Sequence, residues 1–345
     1  MLPSVAEPMI PFNPPRLVCR RSKLEYHGIP DGRLNKPFWE QAETASDFRD
    51  IEGDKKPRPL KKTEVRMLWD DDYLYIGAKL WENEIWATVN GRDEIIFADN
   101  DFEVFLAPKP STHRYYEIEL NALGSVWDLM MDKPARDLAN RITGWDIRGL
   151  KSAVYIDGEL NNPAADNRYW SVEMLIPWLP LRECEPDECL PNHLAPHAGE
   201  IWRLNFSRVE YQTDITDNQY IKKRDAQTGE QLPEYNWVWA PTGIIDIHMP
   251  ELWGYLMFGA DESIFDPPGD EDIRWALRRL FYRQRNYGAC HGRYTVNFEE
   301  LRGTDEWLAE PEIYATPNLF EISMPASHGR LHIRQDGFLW REDGQ

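Results

Sequence analysis

The sequence lacks long hydrophobic runs and has only four cysteines, namely Cys19, Cys184, Cys189 and Cys290. No stretch of about 18 apolar residues occurs, so no transmembrane helix is predicted. The cysteines form neither a CxxC pair nor a Cys/His array with zinc-site spacing. Cys184 and Cys189 are close enough for a small disulfide loop, but reduced thiols fit equally well, so the redox compartment stays open.

The sequence also lacks the motifs of nucleophilic, nucleotide-dependent and zinc-dependent catalysis. It contains no GxSxG elbow, P-loop, GxGxxG or HExxH. A glycosidase needs only two carboxyl groups about 5–9 Å apart, and Glu103 with Glu119 could form such a pair. With 59 acidic residues, however, candidate pairs arise by chance. No catalytic residue is therefore assigned.

Positive charge is scarce, since 39 Lys and Arg stand against 59 Asp and Glu and give a net charge of −20. Repulsion from phosphate groups argues against nucleic acid and against anionic membrane surfaces as partners. The N-terminus as written has no basic start followed by an apolar stretch, so it is not a secretory signal. The expectation is a cytoplasmic protein as written, or one whose start has been trimmed.

What the sequence does contain is a period of two, which is typical of β-strands. Apolar and polar residues alternate in Thr63–Trp69, and the alternation returns in Tyr73–Trp81 after the turn-forming Asp70–Asp72. Further strands are predicted at Asp101–Ala107, Tyr115–Asn121, Ser125–Met130, Leu150–Ile156, Tyr169–Ile176, Ile201–Val209 and Gly254–Phe258. The pattern predicts an all-β protein with an antiparallel β-sandwich or jelly roll, in an immunoglobulin-like two-sheet architecture.

Changes in composition divide the chain into three parts. Residues 1–22 are rich in proline and are expected to form an extended arm. Residues 23–260 hold the predicted sandwich. Residues 261–345 contain a helical pattern at Asp270–Arg285 and a hairpin signal at Gln335-Asp336-Gly337. This last part is predicted to be a small helix-plus-hairpin appendage docked on the sandwich.

Aromatic residues are the most informative candidates for a binding site. The 15 Trp and 15 Tyr are expected to be core filler for the most part. Trp69, Trp127, Trp170 and Trp202 lie on alternating strands and are predicted to be core. Trp81, Trp86, Phe97, Trp237 and Trp239 flank or occupy loops, where a cleft is expected.

One short polar run has the ligand chemistry of calcium. Asp99, Asn100 and Asp101 offer hard oxygen ligands in sequence. They are the candidate residues for structural calcium or for ligand contact, whereas Asp70–Asp72 is interpreted as a plain turn.

Several motifs in order resemble the family 9 carbohydrate-binding modules over about residues 25–260. The first is Asp31-Gly32-Arg33-Leu34 followed by Phe38-Trp39, which is similar to the family's opening DGxLxxxxW. The others are Val65–Ile76, Asn100–Leu106, Tyr116–Asn121, Trp170–Trp178, Trp202–Arg208 and Trp253-Gly254. Each motif is weak alone, and their common order carries the resemblance.

The resemblance implies a jelly-roll sandwich, structural calcium, frequent secretion and a slot that holds a sugar between two tryptophans. Phe97 stands where the first tryptophan is expected, and Glu103 and Asn121 match residues that contact the sugar. Ile247-His248 occupies the region of the second tryptophan. The predicted sugar-binding residues are Trp81, Trp86, Phe97, Glu103, Glu119, Asn121, Trp237, His248 and Trp253.

The sequence therefore favours non-catalytic binding of a glycan or oligosaccharide in polysaccharide breakdown. Two alternatives remain. One is a glycoside hydrolase that uses paired carboxylates such as Glu103 and Glu119. The other is a structural or interaction protein whose sugar slot is degenerate. The sugar, the metal and the oligomeric state are left open.

Overall fold

The computed structural model describes residues 2–109, 111–184, 194–260 and 263–343. Cys189, one half of the possible disulfide loop, lies outside these residues. Along the chain the strands are β1 (Arg16–Arg21), β2 (Thr44–Ala45), β3 (Arg49–Asp50), β4 (Thr63–Trp69), β5 (Tyr73–Trp81), β6 (Asp101–Ala107), β7 (Tyr115–Asn121), β8 (Val126–Met131), β9 (Arg141–Ile142), β10 (Lys151–Asp157), β11 (Tyr169–Pro177), β12 (Ile201–Glu210), β13 (Thr213–Thr216), β14 (Gln219–Lys222), β15 (Tyr235–Val238), β16 (Gly254–Gly259), β17 (Glu312–Ala315), β18 (Phe320–Pro325), β19 (Arg330–Arg334) and β20 (Leu339–Glu342).

The α-helix of the described chain is α1 (Glu271–His291). Short 3₁₀ turns occupy Pro37–Gln41, Gly53–Lys55, Ile96–Ala98, Ala135–Asp137, Pro180–Arg182, Pro250–Leu252 and Phe298–Glu300. The helices in the described part of the chain are too short or too polar to cross a lipid bilayer.

Fourteen strands form one main sheet, whose principal order is β10-β11-β5-β4-β1-β16-β12-β6-β7-β8-β9. The alternation in β4, β5, β6 and β7 predicted their bounds correctly. Strand β1 was not predicted, because Arg16–Arg21 falls within the segment expected to be an extended arm. It lies between β4 and β16 and runs parallel to both. The sheet is therefore mixed, not purely antiparallel, because β1 fills the gap between two hairpin systems.

The two halves of the main sheet share one core. Val65, Met67 and Ile76 from one half pack in the same buried cluster as Phe102 and Val104 from the other. The sheet must therefore curl over this cluster so that apolar faces meet. The result is a mostly-β protein with a sandwich-like curled sheet. Its finer jelly-roll arrangement stays a prediction.

The C-terminal part builds a second core around α1. Leu277, Leu280 and Phe281 lie on the buried side of the helix, against Ile322 and Ile333 of a four-stranded sheet in the order β17-β18-β19-β20. The hairpin signal corresponds to β19 and β20, which pair antiparallel. Strands β17 and β18 were not predicted, although Phe320, Ile322 and Met324 of β18 alternate with Glu321 and Ser323.

The N-terminal segment and the main sheet both contact this appendage. Val5 and Leu252 pack in the same cluster as α1, and the Phe12 ring stacks on Trp275 at 4.7 Å between centroids. Arg203 of β12 forms an ion pair with Glu271 at 2.7 Å. The contacts between these parts thus include both apolar packing and an ion pair.

Candidate functional site

The face of β6 and β7 that points away from the core carries four carboxyl groups. Because alternate residues of β6 enter the core, Asp101 and Glu103 face the opposite side. The pairing register places Glu103 directly opposite Glu119. Glu117 lies on the same face, two residues before Glu119. We call Asp101, Glu103, Glu117 and Glu119 the acidic face.

Burial and mutual repulsion change the protonation of these carboxyl groups. Asp101 is 0 % exposed and Glu103 is 5 % exposed. Burial raises the pKa of Glu103 to about 7. Burial, with the charge of Glu103, raises the pKa of Glu117 to about 8. The pKa values of Asp101 and Glu119 are also raised well above their usual range, chiefly by burial. The acidic face therefore keeps protons near neutral pH.

Three buried polar atoms beside these carboxyls are unpaired. Asp101 Oδ2, Glu119 Oε1 and Trp127 Nε1 have no hydrogen-bond partner among the described residues. Trp127 of β8 is paired with Glu119 in the sheet register, so its side chain lies on the same face. An unpaired buried polar group costs about 1–3 kcal/mol. Such a group of donor and acceptor atoms is suited to binding ligand hydroxyls.

Phe97 places an exposed aromatic ring at the rim of the acidic face. Its side chain is 43 % exposed, and its ring centroid lies 6.2 Å from that of Trp127 with 30° between the planes. The Phe97 N–H donates to Glu119 Oε2 at 3.0 Å, and the Tyr211 hydroxyl donates to the Phe97 carbonyl at 3.0 Å. The hydrogen bond to Glu119 thus ties the backbone of Phe97 to the acidic face.

Two of the three residues predicted to bind calcium form hydrogen bonds that connect loops. Asp99 Oδ2 accepts from the backbone N–H groups of Thr88 and Val89, each at 2.7 Å. It also accepts from Asn121 Nδ2 at 3.0 Å. Asn100 Oδ1 accepts from the backbone N–H of Tyr211 at 2.8 Å. Asn121 was predicted to contact sugar, and its side-chain amide donates to Asp99 in this loop.

The carboxyl oxygens that do converge belong to Asp101, Glu103 and Glu119. One oxygen from each lies within 4.8 Å of the others. Three converging carboxyl groups, two of which have an unpaired oxygen, fit a hard cation such as calcium. Of the predicted metal ligands, this group includes only Asp101.

Three other aromatic residues that were predicted to bind sugar do not stand at the rim. Trp253 is fully buried, and its ring packs against Tyr115 at 5.2 Å between centroids. Trp237 is buried beside Arg208, whose Cζ lies 5.5 Å from the ring centroid. Trp81 lies on the outer face of the other half of the main sheet. None of these three rings stands as a second stacking wall beside Phe97.

Trp86 is buried and His248 is half-buried, each near one end of the same region. The Trp86 ring lies 6.3 Å from Tyr211, and its Nε1 has no partner among the described residues. His248 Nδ1 lies 2.9 Å from the Tyr115 hydroxyl. Burial lowers the pKa of His248 to about 4, so its ring is neutral at physiological pH.

Sequence reasoning missed Trp127 as a site residue. Strand β8 carries Asp128 on the face of Val126 and Met130, whereas the face of Trp127, Leu129 and Met131 is wholly apolar, so the pattern predicted that Trp127 enters the core. The available signal was the short turn after β7, which pairs Trp127 with Glu119 and so places it beside the predicted site.

Comparison with known proteins gives one family and several structural likenesses. The family model described as carbohydrate family 9 binding domain-like matches residues 29–228. A putative carbohydrate-binding protein from Bacteroides uniformis ATCC 8492 is 16 % identical, with a TM-score of 0.45 over 70 % of this chain and 97 % of that one. No curated protein matches significantly.

A family 9 module from Caldicellulosiruptor kristjanssonii is similar in two solved structures. Its complex with glucose is 14 % identical, with a TM-score of 0.41 over 72 % of this chain and 98 % of that one. Its complex with cellotriose is 14 % identical, with a TM-score of 0.40 over 73 % and 100 %. Because the family model matches more than half of the sequence, the chain belongs to the carbohydrate family 9 binding domain-like family.

Proposed function

We propose that the protein binds an oligosaccharide at the acidic face and Phe97 and performs no chemistry on it. The observation that carries the proposal is the group of unpaired atoms of Asp101, Glu119 and Trp127 next to an exposed ring. Family membership supports a sugar as the ligand. The proposed setting is polysaccharide breakdown, and the proposed scaffold is a two-sheet jelly roll.

Protonated carboxyl groups suit a neutral ligand. A carboxyl that keeps its proton both donates and accepts, as a sugar hydroxyl does. Trp127 Nε1 adds a donor, and the Phe97 ring offers a flat surface to the C–H face of a pyranose. Among the residues that the structure describes, Phe97 is the one exposed ring at this rim. By analogy with base stacking, a missing second ring costs about 1–3 kcal/mol, which is about 5- to 150-fold in affinity.

Replacing Phe97 tests the proposal. The Caldicellulosiruptor kristjanssonii module was solved with glucose and with cellotriose, so cellotriose is the first ligand for isothermal titration. Phe97→Ala should weaken binding about tenfold or more, because stacking is lost. Ile95→Ala is the matched control, since Ile95 is 53 % exposed in the same loop, and it should stay within about twofold of wild type. Equal affinities for the two folded variants would contradict the proposed site.

The same carboxyl pair favours a second candidate, hydrolysis of a glycosidic bond. A retaining glycosidase holds its carboxyl groups about 5–5.5 Å apart, and oxygens of Glu103 and Glu119 lie within 4.8 Å. Chromogenic glycosides distinguish the candidates. If the protein hydrolyses a glycoside and Glu103→Gln abolishes this activity, hydrolysis replaces binding as the proposed function. Sugar binding without turnover across the panel would support it.

Calcium at the acidic face remains a proposal, with Asp101, Glu103 and Glu119 as its ligands. A bound cation would draw protons from these carboxyl groups and stabilise the folded state. After chelation, about 1 mM calcium should raise the melting temperature by a few degrees. Asp101→Asn should remove this rise, and Asp72→Asn in the exposed turn should not. A melting temperature unchanged by calcium would argue against the metal.

A further inference from the structure

A separate cleft lies on the other half of the main sheet, on the outer face of β5, β10 and β11. Its volume is about 240 Å³. Leu80 and Ala78 of β5 enter the core, so Lys79 and Trp81 point outward. The register places Trp81 opposite Tyr169. We call this the basic cleft, and its principal side chains are Arg33, Arg66, Lys79, Trp81, Tyr155 and Tyr169.

The basic cleft concentrates positive charge in an acidic protein. It is lined by three cations and one carboxylate, Glu64, and Glu64 is paired with Lys62 outside the lining. Among the ion pairs of the described residues, none involves Arg66 or Lys79. Arg66 Nε donates only to the neutral Thr44 hydroxyl, at 3.3 Å. Unpaired cations in a concave surface attract anions.

Aromatic rings hold two of these cations in place. Lys79 Nζ lies 3.6 Å from the ring centroid of Tyr169 and 4.8 Å from that of Trp81. Arg33 Cζ lies 3.8 Å from the ring centroid of Tyr155. Cation–π attraction of this kind orders the Lys79 and Arg33 side chains before a ligand binds. Binding therefore costs less side-chain conformational entropy. The cleft therefore offers ordered positive charge beside aromatic rings.

We propose that the basic cleft is a second glycan site, which binds an acidic sugar residue through its carboxylate. Arg66 and Lys79 face the carboxylate, while Trp81 and Tyr169 contact the sugar ring. The cleft is smaller than the roughly 300–1,000 Å³ pockets of drug-sized ligands, which suits a short stretch of glycan. The choice of an anion rests on the charges of the cleft. The choice of a sugar as the molecule that bears the anionic group rests on the proposed function.

Titration with trigalacturonate tests the basic cleft, and its methyl ester is the neutral control. The acid should bind at least tenfold more tightly than the ester, and its affinity should fall as NaCl rises from about 50 to 500 mM. Lys79→Gln and Arg66→Gln should each weaken binding of the acid about tenfold. The control Arg293→Gln, an exposed cation on the appendage, should leave it unchanged.

Crossing the variants separates this inference from the proposed function. Phe97→Ala should leave trigalacturonate binding intact, and Lys79→Gln should leave cellotriose binding intact. The inference is overturned if the wild-type protein does not bind trigalacturonate, or if it binds the acid and the ester equally. Neither result would affect the proposed binding of cellotriose at the acidic face. Unchanged binding in both folded cleft variants overturns the location. If inorganic phosphate displaces trigalacturonate as well as galacturonate does, the cleft binds anions without recognising the sugar. That result would also overturn the inference.

Discussion

Glu117 shows how burial sets the chemistry of a single side chain. It is buried on the acidic face, and burial together with the charge of Glu103 raises its pKa from 4.5 to about 8. Between these two values the folded state holds a proton that the unfolded state has released. The stabilising contribution is therefore complete below about pH 4.5 and is lost as the pH rises through about 8.

The stability of the Glu117→Gln variant relative to wild type should consequently increase as the pH rises. Gln stays neutral at every pH, whereas the native carboxyl must ionise inside the protein at high pH. Relative to wild type, the free energy of unfolding of the variant should increase by about 2–4 kcal/mol between pH 5 and pH 8.5. Urea unfolding at both values measures this change. The pH 5 comparison is the internal control, and a difference that is the same at both values would contradict the raised pKa.

At the scale of elements, one loop is held against the edge of the main sheet by a buried carboxylate. Glu173 of β11 accepts hydrogen bonds from the backbone N–H groups of Asp31 at 3.0 Å and Gly32 at 3.1 Å. It also accepts from Trp39 Nε1 at 2.8 Å. These bonds press the loop onto β10 and place Arg33 over Tyr155. The wall of the basic cleft depends on this close approach.

Gly32 permits that approach, so Gly32→Ala should disturb it. Its φ is +76°, and a Cβ there would lie 2.3 Å from the Tyr155 backbone nitrogen. We expect a loss of about 3 kcal/mol or more, since backbone strain and a clash add. Gly28→Ala is the matched control, because Gly28 has φ +94° but nothing within 4 Å of its Cβ position. It should cost only about 1 kcal/mol. Equal losses in thermal unfolding would contradict the close packing of the loop.

At the scale of the whole molecule, Arg285 joins three parts of the chain. From α1 it forms a fully buried ion pair with Asp137, at 2.5 Å, in the turn between β8 and β9. Its Nε donates to the Pro3 carbonyl at 2.9 Å, and its Nη1 donates to the Gln335 carbonyl at 3.1 Å. One guanidinium therefore holds the N-terminal segment, the main sheet and the appendage together.

Arg285→Met should loosen this junction. The substitution removes the closer of the two guanidinium groups beside the buried Asp137 carboxyl and leaves Arg136 at 3.5 Å. Breaking a buried ion pair in this way costs about 3–5 kcal/mol. The control Arg302→Met breaks an exposed pair with Glu299 and should cost less than about 1 kcal/mol. Urea unfolding measures both. A loss below about 1 kcal/mol for Arg285→Met would show that the junction does not depend on the Arg285–Asp137 ion pair.

The residue pattern was sufficient for much of the fold and for one side of the site. Alternation in β6 places Phe102 and Val104 in the core, so Glu103 had to face the other way. The ordered motifs predicted the family, which the family model confirms. These features depend on neighbours in sequence and on a period of two, which a single chain displays without its fold.

Other features required the folded chain because they join residues far apart in sequence. Trp127 faces the carboxyls only through the β7–β8 register, and β1 is a strand only because β4 and β16 lie on either side. The pKa of Glu117 depends on burial that no local pattern reveals. The sequence by itself determined the strands, their apolar faces and the family. Only the tertiary structure decided which charges meet, as at the acidic face and the basic cleft, because electrostatic interaction depends on distance in space.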